Sequence, residues 1–237
     1  HEWRLTPWHN DPVSDPSGET FYLRDEETGV AWMPNGVALN ADGTPGRAAL
    51  ARHGFGYSTF EQHAQGIRSE LKVFCAIDAP VKFSMLTIRN DSGRLRRISV
   101  TGYVEWVLGS LRPSTAPHIV TDHMDDGPAF ARNPYSGDHA DYMGFFDVDP
   151  EHQLAGSMTC DRTEFVGRNG TLLEPMALRR AGLSGRQGAE LATCAAFQVP
   201  IDLAEGESRT VVFRLGMGKN HGEAERVAPK YRGDAVA

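Results

Sequence analysis

The sequence is poor in cysteine and has no excess of positive charge. Three cysteines occur in 237 residues, without any Cys-x-x-Cys spacing, which argues against a disulfide scaffold and against a zinc site. The chain carries 24 Lys and Arg against 31 Asp and Glu, a formal net charge of −7. Surfaces that bind nucleic acid or anionic membranes need clustered positive charge, so no nucleic-acid partner is predicted.

Long apolar runs are missing as well. No run reaches the roughly 18 apolar residues of a membrane-spanning helix, and no signal peptide opens the chain. Sparse cysteines without a secretory leader favour a cytoplasmic location. The abrupt start at His1 leaves open a targeting or membrane segment upstream.

Helical periodicity is nearly absent, and alternation with a period of two replaces it. Residues 221–230 are the one modest helix candidate. In residues 67–77 one face collects the apolar side chains Ile67, Leu71, Val73, Cys75 and Ile77. Cys75 is therefore predicted to be a buried free thiol. Residues 98–108 and 211–217 alternate in the same way.

Turn sequences divide these patterns into short strands. Residues 25–29, 90–93 and 205–207 each separate two strand patterns, and each is predicted to close a hairpin. Hairpins in series give antiparallel sheets, and roughly a dozen or more strands pack as two stacked sheets rather than one open sheet. The prediction is an all-β fold, a large antiparallel β-sandwich with little helix.

Two segments look irregular, and loops of this length are usually functional or interfacial. They are residues 110–142 and 174–193. The first contains a cluster of histidines and acids, namely His118, Asp122, His123, Asp125, Asp126, His139 and Asp141. Its spacing fits no helix-face metal motif, so a solvated acidic loop is favoured over a metal site and no metal is predicted.

The segment around Trp8 combines an aromatic ring with acids held in extended backbone. Pro12 and Pro16 restrict the preceding residues, Asp11 and Asp15, to extended conformations. One interpretation is a rigid surface loop in which the acids cap turns. The other is a sugar-facing loop, in which Trp8 stacks on a pyranose and the acids hold hydroxyls.

Arg24 and Asp25 follow a strand pattern at the edge of a turn. They are predicted either to form a surface ion pair of little energetic value or to present a carboxylate-held guanidinium to an oxygen-rich ligand or another domain. His53 and Tyr57 lie in a glycine-rich, aromatic strand start. They are predicted either to be structural, with packed aromatics and a hydrogen-bonded core histidine, or to contact a ligand.

Residues 161–170 place Arg162, Glu164 and Arg168 among acids and glycines. They are predicted to form either a buried or interface ion network or a tight turn with a structural salt bridge. Glu105 beside Trp106 and Glu164 beside Phe165 are the carboxylates in an apolar setting, but neither has an identifiable partner. No nucleophile motif or phosphate loop occurs. No catalytic residue and no cofactor are predicted.

Five stretches together resemble the N-terminal β-sandwich domain of the glycoside phosphorylases of glycoside hydrolase family 94, formerly glycosyltransferase family 36. They are residues 6–32, 52–109, 130–135, 161–172 and 211–218. Within the family, the chain is most similar to the C-terminal phosphorylase-like region of cyclic β-1,2-glucan synthases.

The resemblance implies a single domain over residues 1–237, the β-supersandwich of galactose mutarotase-like domains. In the family a linker helix and an (α/α)6 barrel follow, and the barrel carries the catalytic groups. The sandwich shapes the active-site entrance and helps to form a dimer. The chain is expected to lack the family's first strands and its barrel, and the parent protein can be attached to the inner membrane.

Three hypotheses follow from this resemblance. The first is a non-catalytic module that binds glucan or oligosaccharide, or docks to a catalytic barrel. Its predicted contact residues are Trp8, Asp11, Arg24, Asp25, His53, Tyr57, Arg162, Glu164 and Arg168. The second is a mutarotase-like or lyase-like enzyme that uses Tyr103, Glu105, His53 and Glu164. The third is a structural module that forms a homodimer or contacts a missing domain.

Overall fold

Strands make up most of the regular structure in the computed structural model, which describes residues 3–8, 18–39, 45–123, 127–149, 152 and 155–232. The strands are β1 Glu19–Asp25, β2 Ala31–Trp32, β3 Val37–Leu39, β4 Pro45–Ala48, β5 Leu50–Gly54, β6 Tyr57–Ala64, β7 Ile67–Cys75, β8 Val81–Asn90, β9 Arg96–Glu105, β10 Val120–His123, β11 Ala129–Arg132, β12 Met143–Val148, β13 Ser157–Asp161, β14 Thr193–Leu203 and β15 Ser208–Gly218. The α-helices are α1 Arg112–Thr115, α2 Arg162–Val166 and α3 His221–Lys230, with 3-10 turns at Ala116–His118, Gly137–His139 and Met176–Arg179.

Two large antiparallel sheets organise the described strands. The order is β13-β14-β9-β1-β2 in the five-stranded sheet and β10-β11-β12-β15-β8-β7-β6-β5 in the eight-stranded sheet, while β3 and β4 form a separate short pair. Neighbours in both sheets run antiparallel, as β1 with β9 and β8 with β15 do. The predicted all-β architecture with two stacked sheets is confirmed.

The main core lies between the two sheets, where alternate side chains of each strand meet. Ile98, Val100 and Val104 of β9 are buried there, as the alternation of period two predicts. Phe21 and Phe213 come from opposite sheets, and their ring centroids are 5.3 Å apart. This packing explains Gly102, because a Cβ at that position would lie 2.6 Å from the Phe213 ring.

Only one of the three predicted hairpins forms. Residues 25–29 join β1 to β2, which pair with each other. Residues 90–93 instead lead from β8 in the eight-stranded sheet to β9 in the five-stranded sheet, and residues 205–207 lead from β14 to β15 across the same gap. The prediction was wrong because each strand buries its apolar face against the opposite sheet, a long-range choice that the turn sequence does not encode.

Asn90 holds these two connections together. Its side-chain amide donates to the carbonyl oxygens of Arg94 at 2.6 Å, Leu203 at 2.9 Å and Ala204 at 3.1 Å. The Asn90 backbone carbonyl accepts from the Gly206 amide at 2.8 Å. Because Asn90 is 0% exposed, its own side-chain amide has no access to water, and these bonds satisfy it.

Cys75 is exposed, which corrects the prediction of a buried thiol. Along β7 the apolar face is buried at Ile67 and Leu71, half-buried at Val73 and exposed at Cys75. Ile77, the next residue of the pattern, is fully exposed. Burial therefore declines toward the end of β7, although the alternation in sequence continues.

Residues 110–142 are less irregular than predicted. They contain α1, two 3-10 turns and the strands β10 and β11, which end the eight-stranded sheet on one side. Pro, Asp, His and Gly are abundant in this segment, so its sequence gives no strand signal. The short strands β10 and β11 are stabilised by pairing rather than by intrinsic propensity. Residues 174–193 are irregular apart from the 3-10 turn and an isolated bridge, as predicted.

Helices cover the outer faces of both sheets. Phe165 of α2 stacks on Tyr103 of β9 at 4.6 Å between ring centroids. The predicted helix at 221–230 is confirmed as α3, whose Ala224 and Ala228 pack on the outer face of the eight-stranded sheet. No helix within the described ranges is long and apolar enough to cross a membrane.

Candidate functional site

The end of β9 brings together side chains from several distant segments. Residues 3–8 run beside the continuation of β9, where the Arg4 amide donates to the Gly109 carbonyl at 2.9 Å and the Val107 amide donates to the Leu5 carbonyl at 2.8 Å. On the outer face, Tyr103 and Glu105 point in the same direction because they are two residues apart on a strand. Helices α1 and α2 each bring an arginine to this point.

Glu105 is the centre of this site, which we call the β9-end cluster: Tyr103, Glu105, Arg112 and Arg162. The Glu105 side chain is 8% exposed. It accepts hydrogen bonds from the Tyr103 hydroxyl at 3.0 Å and the Arg162 Nε at 2.7 Å, and it forms an ion pair with Arg112. A carboxylate removed from water needs such partners, and here two guanidinium groups and a hydroxyl supply them.

In the β9-end cluster the pKa values of Arg162 and Tyr103 are both raised, so Arg162 stays charged and Tyr103 stays neutral. Burial works to lower the pKa of Arg162, but the hydrogen bond to Glu105 and the Glu105 charge outweigh it, so the pKa is raised. Burial, with the charge of Glu105 among smaller causes, raises the pKa of Tyr103 well above its usual value. Tyr103 is therefore a neutral hydrogen-bond donor, and Arg162 remains a cation whose side chain is still 31% exposed.

Glu164 anchors a second polar cluster beside the first. Its carboxylate accepts from the Thr159 hydroxyl at 2.6 Å and from the Ser184 hydroxyl and amide at 2.7 and 2.9 Å. Arg180 lies 3.8 Å away, and the Arg180 carbonyl accepts a hydrogen bond from Arg24. Arg24 and Glu164 are thus linked through the 174–193 segment. Their contacts with Arg180 and Ser184 hold this segment against the five-stranded sheet.

Arg24 and Asp25 do not form the predicted pair. Arg24 lies on the outer face, 3.6 Å from Glu26, whereas Asp25 is buried and bonded to Arg96 at 2.6 Å. Successive residues of a strand point to opposite faces, which separates the two side chains. Asp25 also accepts from the Glu27 amide at 2.9 Å and so caps the turn after β1.

Other predicted contact residues are spread over the molecule. His53 and Tyr57 lie on the exposed β5–β6 hairpin of the eight-stranded sheet, where His53 Nδ1 is 2.9 Å from the Ser58 hydroxyl. His53 is thus not a core histidine. Arg168 is exposed in the turn after α2. Asp11 lies outside the described residues, as do His9, Asn10, Asp15, Asp125 and Asp126.

Trp8 lies at the same end of the sandwich as the β9-end cluster. Its side chain is 51% exposed, and the Arg4 guanidinium lies 5.8 Å from its ring centroid. Arg4 also donates to the Ser110 carbonyl at 3.0 Å, two residues before Arg112. The structure therefore connects Trp8 with the segment that supplies one of the two arginines around Glu105.

The four residues proposed for an enzymatic site do not meet. Tyr103, Glu105 and Glu164 are on the outer side of the five-stranded sheet, and both carboxylates are buried among bonded partners. His53 belongs to a hairpin of the other sheet. A general acid and a general base must both reach one substrate, so this set does not form a single catalytic site.

Arg4 and Arg112 were missed as candidate residues in the sequence. Arg112 is followed by Pro113 and lies in a segment with little strand alternation, so no local pattern connects it with Glu105. Within the part of the chain that the structure describes, no group of three or more His, Cys, Asp or Glu side chains is arranged to hold a metal ion.

Comparison with known proteins gives one family for nearly the whole chain. Residues 1–234 match the family model described as glycosyl hydrolase 94, supersandwich domain. The chain is 35% identical to the cyclic beta-(1,2)-glucan synthase NdvB of Rhizobium meliloti (strain 1021), over 99% of this chain and 8% of that protein. It is 28% identical to the N,N'-diacetylchitobiose phosphorylase of Vibrio furnissii, over 94% of this chain and 28% of that enzyme.

Solved structures agree on the fold. A bacterial glucoamylase complexed with acarbose superposes with a TM-score of 0.55 at 6% identity, over 90% of this chain and 28% of that chain. Identity this low shows a shared fold and nothing about shared chemistry. The chain spans 28% or less of the length of each of these three proteins.

Proposed function

Because the chain belongs to the glycosyl hydrolase 94 supersandwich-domain family, we propose that it is a non-catalytic, carbohydrate-associated module of a glycoside phosphorylase or β-1,2-glucan synthase. The observation that carries this proposal is the 35% identity with a cyclic beta-(1,2)-glucan synthase across 99% of the chain. The proposed ligand is a β-1,2-linked glucan or oligosaccharide, which the chain contacts without cleaving or transferring it.

The proposed contact surface is the β9-end cluster together with Trp8. Sugar rings offer apolar faces and many hydroxyls, and ligand sites combine aromatic surface with a few fixed polar groups. Trp8 is half exposed and can stack on a pyranose. Arg112 and Arg162 are each about one-third exposed, and Glu105 holds both, so their free N–H groups are preorganised to donate to hydroxyls.

Calorimetric titration with linear β-1,2-linked glucooligosaccharides tests this surface. We expect weak binding by the native chain and about fivefold weaker binding by Trp8→Ala, since a lost aromatic contact costs on the order of 1 kcal/mol. Arg162→Lys should also weaken binding. A single ammonium group cannot contact Glu105 and also present the N–H donors that the guanidinium offers to the sugar.

Phe55→Ala is the matched control, because Phe55 is fully exposed on the β5–β6 hairpin, away from β9. It should bind sugar like the native chain. Absence of binding heat at high ligand concentration would rule out the carbohydrate-binding role. Equal losses in Trp8→Ala and Phe55→Ala would instead show that the proposed surface is wrong.

Docking to a catalytic (α/α)6 barrel is a second candidate function. Trp8 and Leu111 are both 51% exposed, and they lie in segments that meet at the end of β9 through Arg4. Exposed large apolar side chains are typical of interaction surfaces. The test is to purify the chain with the barrel encoded in the same or the neighbouring reading frame. Co-elution that Leu111→Asp abolishes supports docking, and separate elution opposes it.

A further inference from the structure

A pocket of about 500 Å³ adjoins the 109–115 segment, which also supplies Arg112 of the β9-end cluster. The N-terminal segment, the 109–118 segment and the 133–139 turn enclose it. Residues that line it include Trp3, Ser110, Ser114, His118, Tyr135 and His139. Its size falls within the range of small-molecule sites, and none of the predicted contact residues takes part in it.

One wall of the pocket is rigid. The Trp3 indole N–H donates to the Ser136 hydroxyl at 3.1 Å, and the Trp3 ring stacks on His139 with centroids 5.5 Å apart and planes inclined by 18°. Tyr142 makes an edge-on contact with Trp3 at 5.5 Å and with His139 at 4.8 Å between ring centroids, so the three rings pack on one another. Trp3 therefore enters a bound state without further ordering, which lowers the entropic cost of ligand binding.

The backbone under the pocket is strained. Leu108 has a φ of +43°, in the left-handed region that a Leu side chain disfavours. Its carbonyl oxygen accepts from the Asn133 amide at 3.0 Å and the Ser136 hydroxyl at 3.3 Å. Strain of this kind concentrates at ligand sites, where the surrounding bonds maintain it.

The mouth of the pocket carries an exposed aromatic pair. Tyr135 is 77% exposed, and its ring centroid lies 4.7 Å from that of His118. The turn that presents Tyr135 is fixed by the Asn133 side chain, which accepts from the Tyr135 amide at 3.0 Å. A large ring held outward at a pocket mouth offers a stacking platform, and stacking is how aromatic side chains hold flat apolar faces.

The charge of the lining points to an uncharged ligand. Among the described residues that line the pocket, Asp138 is the one carboxylate, and there is no Lys or Arg. A phosphorylated or acidic sugar would find no cation to offset its charge. The Ser110 hydroxyl can donate and accept, the Ser114 hydroxyl already donates to the Leu111 carbonyl at 2.8 Å and can accept, and the His118 ring nitrogens add further polar groups. This set matches the hydroxyls of a sugar.

We propose that this pocket is a separate sugar subsite, which holds one uncharged pyranose unit of a glucan stacked on Tyr135. The inference rests on the proposed carbohydrate-binding function and adds a second contact to it.

Titration of the full chain with linear β-1,2-linked glucooligosaccharides tests the subsite through Tyr135→Ala, Tyr135→Phe and the control Phe55→Ala. Tyr135 is exposed, so its substitution leaves the core intact. We expect Tyr135→Ala to weaken binding about tenfold, while Tyr135→Phe, which keeps the ring, stays within about twofold of the native chain. Raising the ionic strength should leave binding unchanged, because the ligand is neutral.

The outcomes separate this subsite from the β9-end surface. Loss of binding in Trp8→Ala with native binding in Tyr135→Ala overturns the subsite and leaves the proposed function standing. Loss in Tyr135→Ala with native binding in Trp8→Ala supports the subsite and removes the β9-end surface. Binding of glucose 1-phosphate in a salt-dependent manner, weakened by Tyr135→Ala, would overturn the assignment to an uncharged sugar. No binding of any sugar by the native chain overturns both.

Discussion

Arg96 and Asp25 form a buried ion pair where β9 begins and β1 ends, inside the five-stranded sheet. Their side chains are 4% and 3% exposed, and Arg96 also donates to the Gln65 carbonyl at 2.6 Å. A buried charge left without its partner is costly, whereas an exposed pair contributes little. The position of a charge relative to the two sheets therefore matters more than its presence in the sequence.

Asp25→Ala should lower the free energy of unfolding by about 3–5 kcal/mol, because it leaves the Arg96 guanidinium buried and uncompensated. Asp202→Ala is the control, since its pair with Arg97 is more than 60% exposed on both sides; it should cost less than about 1 kcal/mol. Urea denaturation of both variants measures the difference. Equal losses of unfolding free energy in the two variants would show that the buried Asp25–Arg96 pair stabilises the fold no more than the exposed pair does.

The same aspartate should make stability depend on pH in the acid range. Burial works to raise the pKa of Asp25, but hydrogen bonds from the Glu27 amide and Arg96, with the Arg96 charge, outweigh it and hold the pKa below 3.8. A depressed pKa in the folded state stabilises the fold above the unfolded pKa of about 4, and this stabilisation is lost as the pH falls through the folded pKa. In denaturation curves measured below about pH 5, Asp25→Asn should show a shallower loss of stability with falling pH than the native chain.

Hydrogen bonds at the ends of strands and helices tie the secondary-structure elements together at two places, Asn90 and Asp147. Two of the connections that cross between the sheets, 90–93 and 205–207, meet at Asn90. At the opposite face of the eight-stranded sheet, Arg232 clamps the end of α3 by two hydrogen bonds to Asp147 at 3.0 and 2.8 Å. Asp147 is fully buried and is shared with Arg214, so helix and sheet depend on one carboxylate.

Asn90→Ala should destabilise the fold by about 2–3 kcal/mol, because it leaves the buried Leu203 carbonyl oxygen without its donor and removes the bonds to Arg94 and Ala204. Asn35→Ala is the control, since Asn35 is exposed in a turn, and it should stay within about 0.5 kcal/mol. Hydrogen exchange should also rise at the ends of β8 and β14 in Asn90→Ala. Unchanged exchange there would contradict the role of Asn90 as the tie between the connections.

Over the whole molecule, the accessibility of the three cysteine thiols reports whether the two sheets stay packed together. Cys160 and Cys194 are 0% exposed, and burial raises the pKa of Cys160 to about 12 and that of Cys194 well above its usual value. Cys75 is exposed at the end of β7. Because the thiolate is the reactive form, the three cysteines should divide into one fast and two protected groups.

Titration with a chromogenic disulfide reagent should modify one thiol per native chain and three in denaturant. Cys75→Ser should remove the fast reaction and leave the other two thiols protected. Fast reaction of a second thiol in the native Cys75→Ser chain would show that the five-stranded sheet opens under native conditions.

The sequence by itself determined the local pattern. Alternation with a period of two predicted strands such as β7, β9 and β15 and the inward faces of β9 and β15, and helical spacing predicted α3, since both periods follow from backbone geometry within a few residues. The resemblance over residues 5–218 indicated the supersandwich before any contact was known.

Only the tertiary structure decided which strands pair and which side chains meet. It turned two predicted hairpins into connections between sheets, separated Arg24 from Asp25, and placed Arg162 on Glu105 across 57 residues of sequence. It also assembled the pocket of Trp3 and Tyr135 from segments more than a hundred residues apart. The physical reason is that pairing and ion contacts depend on which apolar faces bury each other, and that burial is shared by the whole chain rather than stored in any one segment.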